Sequence, residues 1–117
     1  MKIRIKGNSV RYRLTKSEVA MLSASGSVEE HTEFSGKTFV YSILKADGDR
    51  LSANYTADQI TVRMPVVMVE ELINTDRVGF DGSTGPVSIL VEKDFACIDK
   101  VPEDQRDNYA NPKLACE

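Results

Sequence analysis

Two stretches fifty residues apart, VRYRLTKSEV at 10–19 and ITVRMPVVMV at 60–69, each pass from alternating apolar and polar positions into helical spacing. Alternation marks a half-buried strand, and apolar residues three or four apart mark one face of a helix. At that spacing Arg13 matches Arg63, Val19 matches Val69, Leu22 matches Leu72 and Val28 matches Val78. The tripeptide Ser-Ile-Leu also recurs, at 42–44 and 88–90. A chain written this way has to pack two similar units against each other, because each is too small to bury a core alone. With 117 residues there is room for one domain only. It divides into a first unit at about 1–46, a second at about 51–93 and an acidic tail at 94–117.

Local signals supply the elements. KIRIKG and SVRYRL alternate on either side of Gly7-Asn8-Ser9 and form a hairpin. Thr15 followed by Glu18 has the form of a capping box, with Gly26 as the helix end and Val19 and Leu22 on the inner face. VEEHTEF and KTFVYSILKA flank the Ser35-Gly36 turn, and LSANYT and ITVRM flank Ala57-Asp58-Gln59. Pro65 opens a second helix with Met68, Val69, Leu72 and Ile73 on one face. RVGF and PVSILVEK close the pattern across the connection DGSTG. The expected fold is α+β: a duplicated strand-strand-helix-strand-strand unit forming a strongly curved antiparallel sheet or partly closed barrel, with two outer helices.

The strands are one-sided. When Ile3, Ile5, Val10, Tyr12, Leu14, Ile60, Val62 and Met64 point inward, Lys2, Arg4, Lys6, Arg11, Arg13 and Arg63 point the other way. Both hairpins would then offer cations to one face of one sheet, a candidate site for phosphate or carboxylate oxygens. A small anionic ligand is therefore the expected partner, against the simpler reading of a solvated sheet surface.

The net charge of −3 and pI near 5.2 exclude broad nucleic-acid binding, which needs a basic surface. The first sixteen residues carry six cations and no acid, so the start reads as neither secretory signal nor membrane span, and the cytoplasm is expected. There, Cys97 and Cys116 are expected as free thiols in preference to a disulfide, with a switchable bridge as the alternative. The tail carboxylates Asp99, Glu103, Asp104 and Asp107 lack metal-loop spacing and read as an exposed acidic turn. His31, the single histidine, has acidic neighbours but no nucleophile elbow to serve, and DGSTG lacks the lysine of a phosphate loop. Catalytic residues, metal and cofactor are accordingly expected to be none, and the oligomeric state is open.

Two resemblances bear on these readings. The duplicated order of helices and antiparallel strands with polar faces, over residues 1–93, looks like the CYTH-like family. That resemblance implies a tunnel binding triphosphate with divalent metal, although KIRIKG stands where that family has alternating Glu-x-Glu-x-Lys. The tail ILVEKDFACIDKVPEDQRDNYANP, with the opening MKIRIKGNSVRYRLT, resembles a family of small uncharacterised bacterial proteins. The favoured function is a non-enzymatic binding or interaction domain. The alternative is a divergent phosphoryl-handling enzyme.

Overall fold

A computed structural model describes residues 1–95. Eight strands and two helices follow in the order β1 (Lys2–Lys6), β2 (Ser9–Leu14), α1 (Lys16–Ser25), β3 (Ser27–Phe34), β4 (Lys37–Ala46), β5 (Ser52–Thr56), β6 (Gln59–Pro65), α2 (Val66–Asn74), β7 (Gly79–Thr84) and β8 (Val87–Lys93). The protein is α+β, as the periodicities indicate. Its strands, however, form two four-stranded sheets, β1-β2-β8-β7 and β3-β4-β6-β5, and neither closes.

The single antiparallel sheet expected from the sequence is corrected in two respects. Each hairpin is antiparallel, but hairpins join through parallel central pairs, β2 with β8 and β4 with β6. The first hairpin of the chain thus pairs with the last, and the two middle hairpins pair with each other. Each helix carries the chain from one sheet to the other. Exchanging β1, β2, β7 and β8 for β5, β6, β3 and β4 turns the strand order of one sheet into that of the other.

Pairing registers locate equivalent positions more finely than spacing does. Lys2 opposes Arg13 and Ser52 opposes Arg63, which keeps the fifty-residue interval for the leading hairpins. Leu14 opposes Lys93 whereas Met64 opposes Lys45, so β8 corresponds to β4 at forty-eight residues. Val91 therefore takes the place of Ile43, and the two Ser-Ile-Leu tripeptides are out of step. Val28 opposes Ile43 and Phe80 opposes Val91, so Phe80 fills the position that spacing assigned to Val78. Val78 lies outside the strand and is 52% exposed.

The inward faces share one core. Tyr12, Leu14, Ile89 and Val91 from the first sheet meet Ile43, Val62 and Met64 from the second, with Val19 and Leu22 of α1 and Val69 and Leu72 of α2. Tyr12 is fully buried against the edge of Tyr41, their rings 6.1 Å apart, and its hydroxyl reaches the Ile60 carbonyl at 3.5 Å. Burial raises its pKa beyond the ordinary phenol range. On α2, Val69 and Leu72 are buried, whereas Ile73 is exposed.

The α1 cap forms as its residues dictate. The Thr15 hydroxyl accepts from the Glu18 amide, Glu18 accepts from the Thr15 amide at 2.9 Å, and Gly26 ends the helix at φ 90°. Glu18 also holds the Met1 amine, which donates to Glu30 at 3.2 Å as well, while the Met1 carbonyl accepts from the Tyr41 hydroxyl at 3.2 Å.

Residues Asp81–Thr84 of the expected DGSTG connection are strand, and the turn is confined to Gly85-Pro86. The reason is close approach. A Cβ at Gly79 would lie 2.5 Å from the Val91 carbonyl oxygen, and one at Gly82 would lie 3.0 Å from Leu51 Cβ. Thr84 Oγ1 then accepts from the Ala53 amide at 2.9 Å, tying the edge of one sheet to the edge of the other.

Two outcomes follow. Gly79→Ala must displace backbone rather than a flexible side chain, so it is expected to cost about 1–3 kcal/mol, read by denaturant unfolding. A loss under about 0.5 kcal/mol would contradict the β7–β8 register. Glu18→Gln keeps a capping residue but removes the charge that holds the Met1 amine. Burial opposes the charged forms of both groups, yet their mutual bond prevails, raising the amine above 8.0 and lowering Glu18 below 4.5. The lowered acid contributes above 4.5 and fades as pH falls; the raised amine contributes below 8.0 and fades as pH rises. Wild type should exceed Glu18→Gln by about 1 kcal/mol between those values, and the gap should narrow on both sides.

Candidate functional site

Alternation along β1 and β2 puts Lys2, Arg4, Lys6, Arg11 and Arg13 on the outer face of the first sheet, where Lys2 opposes Arg13 and Arg4 opposes Arg11. Like charges in direct cross-strand register repel unless something lies between them. Part of the relief is internal. Glu92, beside Arg13 on β8, accepts from Arg13 Nε at 2.9 Å and lies 3.6 Å from Arg11 Nε. Asp94 lies 3.3 Å from Lys2 Nζ. Among the described residues, no carboxylate comes within 4.0 Å of the terminal nitrogens of Arg4 or Lys6.

Arg63 does not join this group. It lies on β6 in the second sheet, between Leu44 and Ser52, so the expectation that both leading hairpins feed one basic face is corrected. The cause is the crossed pairing: matched strands of the two halves go to different sheets. The second sheet's outer face carries Glu29, His31 and Glu33 on β3 instead, with His31 Nε2 2.9 Å from Glu29. Beside Arg11 the first sheet has a shallow concavity of about 320 Å³, to which Ser9, Ser88 and Asp81 add polar groups.

A second concavity was not anticipated. Between the two sheets, at the ends of the hairpin turns, Ile5, Val10, Phe39, Tyr55, Ile60 and Val87 line an apolar cleft of about 420 Å³. Ile5 and Tyr55, at corresponding positions of β1 and β5, are 54% and 65% exposed. The only advance signal was that Ile5 and Val10, like Tyr55 and Ile60, flank their turns, where a sheet has least cover. The adjoining Ala57-Asp58 turn holds two non-glycine residues left-handed, at φ 52° and 62°.

The described residues hold no group of three His, Cys, Asp or Glu side chains suited to a metal ion. Among the described residues, no helix is long and apolar enough to cross a membrane. Cys97, Cys116 and the carboxylates from Asp99 to Glu117 lie outside the described residues.

Neither the curated proteins nor the solved structures show a significant match to the chain. A family does match, along residues 1–113, and so spans both sheets, both helices and most of the tail. The chain belongs to the family of unknown function DUF7009.

Proposed function

We propose that the protein is a duplicated, non-enzymatic binding domain that takes a small polyanion on the outer face of its first sheet. The observation that carries this reading is the cross-strand cluster Lys2, Arg4, Lys6, Arg11 and Arg13, of which Glu92 and Asp94 engage three members. Arg4 and Lys6 keep donors directed away from the core, and a bound anion would relieve their repulsion. Arg63, on the other sheet, is left out of the site. Duplication is supported by the exchange that converts one strand order into the other and by the matched burial of Val19 with Val69 and Leu22 with Leu72.

The divergent CYTH-like reading, a metal-dependent enzyme acting on triphosphate, is the weaker one. It needs carboxylates clustered opposite the cations. Glu92 instead forms direct ion pairs with two of them.

Titration with inorganic tripolyphosphate should raise the melting temperature, as a ligand selective for the folded state must. Arg4→Gln with Lys6→Gln should weaken its binding about tenfold, near 1.4 kcal/mol, without unfolding the protein. Arg63→Gln should leave the affinity unchanged. Glu92→Gln, which releases Arg11 and Arg13, should strengthen it. An absent response in the wild type, or an equal loss in Arg63→Gln, would return this face to a solvated sheet surface.

A further inference from the structure

The outer face of the first sheet is divided by sign. Its cations stand on β1 and β2, whereas its carboxylates, Glu92 and Asp81, stand on β8 and β7. Register sets Arg4, Arg11, Leu90 and Asp81 side by side across the four strands, with Ser9 and Ser88 in the adjoining row. Glu92 is committed, since it accepts from Arg13 at 2.9 Å and lies 3.6 Å from Arg11. Asp81 is exposed and has no cation within 4.0 Å among the described residues.

The concavity of about 320 Å³ lies over this row, and both Arg11 and Asp81 belong to its lining. Its volume falls within the range of roughly 300–1,000 Å³ usual for small-molecule sites. At about 30 Å³ for each water-sized group, that is room for on the order of ten non-hydrogen atoms. Arg11 approaches Glu92 only at 3.6 Å, beyond hydrogen-bonding distance, so among the described residues its guanidinium donates no hydrogen bond. Leu90 lies between the two charges and gives the concavity an apolar floor, with the Ser88 hydroxyl beside it. Neighbouring strands are about 4.8 Å apart, so the Cα atoms of Arg11 and Asp81 are separated by about 10 Å, a span that two side chains and a short ligand can bridge.

A ligand filling this space with negative charge alone would bring part of that charge against Asp81. A ligand negative at one end and positive at the other meets opposite charge at both. We infer that the concavity selects a short aminoalkyl phosphate, its phosphate held by Arg11 with Arg4 alongside, its methylenes on Leu90 and its ammonium paired with Asp81. The inference rests on anion binding by this face and names the class of anion that the face prefers. Arginine's planar fork suits the phosphate end, and the exposed carboxylate suits the ammonium.

The test compares phosphoethanolamine, ethyl phosphate and inorganic tripolyphosphate in amide chemical-shift titrations of the full-length protein. The first two differ by the amine that pairs with Asp81. Ethyl phosphate has the larger net negative charge, so a cation cluster acting alone would favour it. Phosphoethanolamine should instead bind about three- to fivefold more tightly, as one exposed ion pair allows. It should also move the Asp81 and Gly82 amides, which ethyl phosphate leaves in place. Asp81→Ser, at an exposed position, should leave the spectrum folded, remove the preference and strengthen tripolyphosphate about twofold. Ethyl phosphate binding as tightly as phosphoethanolamine to the wild type, or a preference that survives in Asp81→Ser, would overturn this inference, while tripolyphosphate binding in the same series would leave the polyanion reading standing. No response to any of the three would overturn both.

Discussion

The parallel hydrogen bonds between β2 and β8, and between β4 and β6, are what every other feature depends on. A two-stranded hairpin is at best marginally stable in water, and the described chain contains four of them. Parallel pairing doubles each sheet to four strands and gives each an apolar face broad enough to bury. Its cost is loop closure, since Tyr12 must find Val91 along most of the described chain. The gain is that first and last hairpins are held together, so the halves cannot separate without breaking both sheets. The helices take their place from the same constraint: each crosses between sheets, and Val19, Leu22, Val69 and Leu72 fill the core where they cross.

Crossed pairing also decides which charges meet. It sets Glu92 beside Arg13, and the carboxylate then reaches Arg11 as well, which makes a cross-strand cation cluster tolerable. At the corresponding register of the second sheet Arg63 stands beside Leu44, and no equivalent ion pair can form. A common scaffold thus carries two different surfaces. At the turn ends the two halves contribute alike, and they leave a cleft that is apolar because the inner face of each strand is apolar.

Features encoded within a few residues were legible in the sequence. Thr15 and Glu18 announce their cap, Gly26 its helix end, and the first three hairpins their alternation and turns, because the interactions concerned are local. Sheet partnership is not local, and alternation says which way a side chain faces without naming the strand beside it. Placing Arg13 and Arg63 on one surface followed from assuming that like strands pair with like, whereas each leading hairpin pairs with the trailing hairpin of the other half. In the sequence Asp81–Thr84 reads as a turn because glycine commonly marks one. At Gly79 and Gly82 the missing side chain instead admits Val91, Glu92 and Leu51. The cleft is invisible in the sequence for a related reason, since Ile5, Val10 and Ile60 read as ordinary inward strand positions until the two sheets are set against each other.

The central claim, that the first hairpin pairs with the last and the middle two pair with each other, is tested most directly by interstrand nuclear Overhauser effects among backbone protons. The account predicts contacts in a parallel pattern from Val10, Tyr12 and Leu14 to Ile89, Val91 and Lys93, and from Tyr41 and Ile43 to Ile60 and Val62. Contacts joining β2 directly to β6, or an antiparallel pattern between β2 and β8, would contradict it.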